Sequence, residues 1–104
     1  MSTLIDITNK IKNEEKFIKL YDKTYKVDDS KNTVLKVMSI LEKEGEAVAM
    51  DKAIELILGK EAKKYIDSLN LSVQDYQVPF IAVMACVNNV SYEAMEEQFR
   101  NDKQ

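Results

Sequence analysis

The sequence predicts a mainly α fold: a small bundle or spiral of about five to six short helices with a β-hairpin near the N-terminus. Three observations predict it. Glycine and proline are scarce, two and one in 104 residues, so few breaks interrupt the helical patterns. Apolar residues recur at spacings of three and four through most of the chain after residue 30, as amphipathic helices require. Residues 76–92 carry no charge in a protein whose charged fraction is 32%, which marks an element covered on most sides.

At the start of the chain, Leu4, Ile7, Thr8 and Ile11 fit a short helix opened by Ser2 or Thr3. The β-branched residues of the same stretch leave a strand open as well. The hairpin is expected over about 16–27, where two runs rich in aromatic and β-branched residues flank a turn at Asp22-Lys23. Alternation sets Ile18, Leu20, Tyr25 and Val27 on one or neighbouring faces, and such a ribbon must rest on helices to be stable.

Asp28-Asp29-Ser30 then opens a helix over about 30–44, stopped by Gly45 acting as a left-handed cap. Its stripe of Val34, Val37, Met38 and Leu41, widened by Leu35 and Ile40, is too broad for a surface helix. It is expected directly against the charge-free helix. A helix over about 47–58 turns Ala49, Met50, Ala53, Ile54, Ile57 and Leu58 inward and ends at Gly59. The next, over about 61–69, buries Ala62, Tyr65, Ile66 and Leu69 and stops at Asn70.

Ser72, followed three positions on by Asp75, caps the charge-free helix over about 73–88, with its exit at Asn88-Asn89. Pro79 costs a regular helix about 3 kcal/mol or more, so a kink or a restart is expected there. The apolar run stops short of the ~20 residues a membrane span needs. Ser91 opens the last helix, over about 92–100, where Met95 and Phe99 stand four apart beside Tyr92. With no repeat or linker, residues 1–104 read as a single domain.

The net charge is −3 and there is no histidine. That removes imidazole general bases, histidine triads and Cys/His zinc clusters, and no cofactor motif is present. The one cysteine, Cys86, lies in the apolar run as a small hydrophobe, and an unpaired cysteine points to a reducing compartment. No secretory signal is visible at the start. The acidic groups Asp28-Asp29, Glu14-Glu15, Glu42-Glu44-Glu46 and Glu93-Glu96-Glu97 fall at helix ends or on polar faces. An enzyme is therefore not expected.

Lysines 16, 19, 23 and 26 interleave with Phe17, Tyr21 and Tyr25 on the hairpin, and Lys60, Lys63 and Lys64 cluster after Gly59. Such a pattern could serve a small nucleic-acid-binding regulator. A soluble outer face whose lysines discourage edge pairing explains it as well. The apolar C-terminal half offers the other candidate surface: Tyr76, Phe80, Met84, Tyr92, Met95 and Phe99, with methionines able to line an adaptable groove.

Three phrases carry a resemblance. They run from Phe17-Ile18-Lys19-Leu20-Tyr21 through Lys31-Asn32-Thr33-Val34, from Lys52-Ala53-Ile54 through Lys60-Glu61-Ala62, and from Leu69-Asn70-Leu71 through Asp75-Tyr76. In this order they resemble the tail assembly chaperones of Gram-positive siphophages and prophages, over about 17–99. The resemblance implies a spiral of helices with an early hairpin and a host cytoplasmic location. It also implies binding of the tape measure protein and recruitment of tail tube subunits, with self-association open to such a chain. A chain ending soon after Phe99 suits the shorter product of a family that often makes a longer one by frameshifting. The family has no invariant functional residue to carry over, and Pro79 departs from its pattern.

Overall fold

Gly45 and Gly59 alone separate the first three helices, α1 (Lys31–Glu44), α2 (Glu46–Leu58) and α3 (Lys60–Ser68), in the computed structural model, which describes residues 2–102. Each glycine closes one helix and opens the next. The Gly45 N–H donates to the Leu41 carbonyl while its own carbonyl accepts from Ala49, and Gly59 does the same between Glu55 and Lys63. The backbone is at φ 89°, ψ 176° at Gly45 and φ 98°, ψ 164° at Gly59. This is not the left-handed helical cap expected at Gly45 but a region open essentially to glycine alone. The turn it makes sets α1 on α2 and α2 on α3.

That geometry corrects two expectations. The breadth of its stripe predicts α1 against the charge-free helix, yet α1 packs on α2, because a one-residue link keeps it beside its neighbour. Only Val37 of α1 is fully buried, and Leu35, Met38 and Leu41, all expected inward, are exposed. α2 packs extensively on three other helices, α1, α3 and α4 (Val73–Asn88), and the charge-free α4 on two. In α2, Ala49, Met50, Ala53, Ile54, Ile57 and Leu58 are all buried, a stripe wide enough to serve several neighbours.

α4 begins where Ser72 Oγ accepts from the Asp75 N–H at 3.1 Å. It runs without interruption through Pro79, which is itself buried, so no restart occurs. At its end Asn89 takes φ 57°, and the Asn89 and Val90 amides donate to the Cys86 and Ala85 carbonyls, the paired bonds of a Schellman cap. Ser91 Oγ accepts from the Ala94 N–H at 3.0 Å and opens α5 (Tyr92–Asp102). The chain bends by 111° between α4 and α5. Among the described residues no single helix is long and apolar enough to cross a membrane.

The hairpin pairs β1 (Phe17–Leu20) with β2 (Lys23–Lys26) antiparallel, Leu20 opposite Lys23. The turn is therefore Tyr21-Asp22, one residue earlier than expected, with Tyr21 at φ 56°. Ile18, Leu20 and Tyr25 pack on the helical core and Val27 is part of it. The Asp28 N–H donates to the Ile57 carbonyl at 2.8 Å, and Lys16 Nζ reaches the Cys86 carbonyl at 2.7 Å and Asp29 at 3.0 Å. These bonds fasten the ribbon to α2 and to the end of α4.

Before the hairpin there is neither the helix nor the strand considered for residues 4–11, but one 3-10 turn, Thr8–Lys10, in a stretch where every residue from 2 to 15 is exposed. The molecule is long, 62 × 34 × 25 Å, with a radius of gyration of 15.9 Å, against ~13 Å for a globular chain of this length. It exposes 7927 Å², where a folded monomer of its mass exposes roughly 6000 Å².

Candidate functional site: an apolar groove between the last two helices

The bend at Asn89 determines the site. Phe80 and Met84 stand four apart on α4, and Met95 and Phe99 stand four apart on α5, so each helix offers one pair on one side. Folding α5 across α4 brings the pairs together. The Phe80 and Phe99 rings meet edge-on, centroids 6.0 Å apart and planes at 66°, a favoured aromatic geometry. Asn88 Nδ2 donates to the Met84 carbonyl at 2.8 Å and lies 3.8 Å from Met95 Sδ, holding the corner.

The resulting groove has a volume of about 210 Å³. Buried Phe80 and Ile81 form its floor, half-buried Met84, Met95 and Phe99 its walls, and Leu41 of α1 and Glu46 of α2 complete the lining. Small-molecule sites run from ~300 Å³ upward. The groove is better matched to one side chain of a partner. Its methionines can adapt to different shapes.

Four of the six residues named from the sequence therefore converge, and two do not. Tyr76 faces the other end of α4, where its hydroxyl lies 2.8 Å from Asp51 Oδ1 and 3.3 Å from Asp67 Oδ1. Lys63 pairs with the same two carboxylates. Burial, and then the bond to Asp51, push the Tyr76 phenol well above its ordinary value. The hydrogen bond to Asp67 does the same for the Lys63 ammonium. This cluster clasps α2, α3 and α4 together. Tyr92 is half-buried outside the groove, its phenol raised by burial and by Glu96.

Leu41, Ile81 and Glu46 join the groove without having been named for it. Leu41 carried a signal, as the last residue of the α1 stripe, but Glu46 had none beyond its place after Gly45. The lysines considered for nucleic acid are largely engaged: Lys16 with Asp29, Lys26 with Glu15 at 3.4 Å, Lys63 with Asp51 and Asp67, and Lys23 over the Tyr65 ring at 5.1 Å. Burial raises the Cys86 thiol above its usual range, away from the reactive thiolate. Among the described residues no three acids or thiols gather to hold a metal ion. In comparison with known proteins, the chain matches no family model, no curated protein and no solved structure.

Proposed function

We propose that this protein is a non-enzymatic assembly chaperone that holds apolar helical segments of a partner, as the siphophage tail assembly chaperones it resembles hold the tape measure protein while tail tube subunits are recruited. The observation that carries the reading is the groove itself: Met84, Met95 and Phe99, from α4 and α5, gathered half-buried over the buried floor of Phe80 and Ile81. A chaperone must bind firmly enough to keep an apolar helix from aggregating and loosely enough to release it. A shallow groove that accepts one side chain at a time meets both demands, since a single buried apolar side chain contributes about 1.5–3 kcal/mol.

The test is co-production with a long, apolar helical protein encoded beside this gene. Replacing Met95 and Phe99 with serine is expected to leave a cooperative thermal melt while the partner loses solubility and no longer co-purifies. A collapsed melt would assign both residues to the core and remove the groove as the site. Capture unchanged by the double substitution would do the same.

A further inference from the structure

The chain carries two apolar surfaces that nothing in the described molecule covers. The first is the N-terminal arm, where Leu4 is 91% exposed and Ile5 77%, with Ile7 and Ile11 also open to solvent. Its base is anchored, Glu15 to Lys26 and Lys16 to Asp29, and residues 12–14 run beside Asp29, Ser30 and Asn89. The arm thus leaves the body near the start of α1. The second surface is α1 itself, where Leu35 and Met38, three apart, are 53% and 55% exposed.

Area and reach indicate what covers them. The chain exposes 7927 Å², roughly a third more than a folded monomer of its mass. That excess is more than the ~800 Å² each partner gives to a standard protein interface. Residues 2–11 can span up to ~33 Å at ~3.3 Å per residue, longer than the ~21 Å of a fourteen-residue helix. Both surfaces occur once per chain, so two copies satisfy each other and leave neither uncovered. We infer that the chain forms a two-fold dimer by arm exchange, the N-terminal arm of each copy lying along the Leu35 and Met38 face of α1 in the other. The inference does not depend on the groove between α4 and α5.

Light scattering on a sizing column over a concentration series is expected to find a dimer. Ile5→Ser with Ile7→Ser, and separately Leu35→Ser with Met38→Ser, should each weaken it about tenfold or more. All four side chains are exposed, so the thermal melt of a dilute sample reports whether either pair disturbs the fold. In a Cys86→Ser background, chains carrying only Ile7→Cys are mixed with chains carrying only Met38→Cys and treated with a bis-maleimide. A linked pair containing one of each chain is the expected product. A monomer at every concentration, a dimer indifferent to both serine pairs, or the absence of a linked pair containing one of each chain would overturn the exchange.

Discussion

The Tyr76 hydroxyl donates to Asp51 Oδ1 at 2.8 Å across twenty-five residues of sequence, joining the start of α4 to the middle of α2. Tyr76→Phe keeps the ring and deletes the bond. The expected loss is about 1–2 kcal/mol, as for a hydrogen bond to a charged acceptor that is partly open to water. Urea unfolding would measure it. Combined with Asp51→Ala, which deletes the acceptor, the losses should fall short of additive, because both changes remove the same bond.

The same cluster shapes stability against pH. Burial alone would raise the Asp51 pKa, but hydrogen bonds from Tyr76 and Lys63 outweigh it and the net value lies below the ordinary 3.8. Asp28 is lowered too, first by its bond from Thr33. Carboxyls depressed on folding contribute stability that is complete above the unfolded value and lost as pH falls through the folded one. Lys63 and Tyr76 are raised above their ordinary 10.5 and 10.0. Their contribution is complete below about pH 10 and lost as pH climbs past it. Denaturation midpoints should therefore be flat through neutrality and fall below about pH 4 and above about pH 10. Tyr76→Phe should remove part of the alkaline fall, and an unchanged alkaline limb would contradict the clasp.

The glycine joints give a cleaner contrast. A Cβ at Gly45 or Gly59 would meet no atom within 4 Å, so alanine there is opposed by backbone strain alone. Gly45→Ala and Gly59→Ala should each cost about 1–3 kcal/mol. Asn89, at φ 57°, already bears a side chain in the left-handed region, and Asn89→Gly should gain up to about 1 kcal/mol. Thermal melts of the three variants would separate these signs.

In the groove, floor and wall should respond differently. Phe80 is 6% exposed, and Phe80→Ala should cost about 3–5 kcal/mol, a large share of a total near 5–15 kcal/mol. Met95→Ser removes a half-buried side chain and should cost about 1 kcal/mol. Equal losses in guanidinium titrations would mean that the wall is as structural as the floor.

Much of this architecture was legible because local chemistry fixed it. The mainly α fold with an early hairpin followed from sparse breakers and helical spacing. Ser72 with Asp75, Ser91, Gly59, Asn70 and Asn89 end or begin helices where their side chains or conformational freedom suggest. What periodicity could not supply was the neighbour. The stripe of α1 was visible, but Gly45, a single residue, decides that α2 receives it and that Leu35 and Met38 stay outside. Tyr76 grouped with the partner-binding residues of the apolar helix, and nothing local showed otherwise because the groups that engage its hydroxyl, Asp51 and Asp67, come from two other helices. The hairpin turn slipped by one residue because Tyr21 takes a positive φ that its side chain gives no reason to expect. For the groove, the i, i+4 pairs were legible; the bend that joins them arises from one left-handed asparagine.

Most of the main packing pairs link elements that follow one another: β1 with β2, α1 with α2, α2 with α3, α4 with α5. Among these main pairs only α2 with α4 skips an element, and the hairpin's ties to α2 and to the end of α4 are the other long-range links. A chain built from such short-range contacts closes few long loops on its way to the native state, and refolding should be complete within milliseconds. During synthesis, the hairpin and the first three helices can assemble while residues 73–88 are still being made. The side of α2 that receives α4 then waits open until the charge-free segment arrives, so the last joint to close in the protein is also the one on which α5 and its groove are mounted.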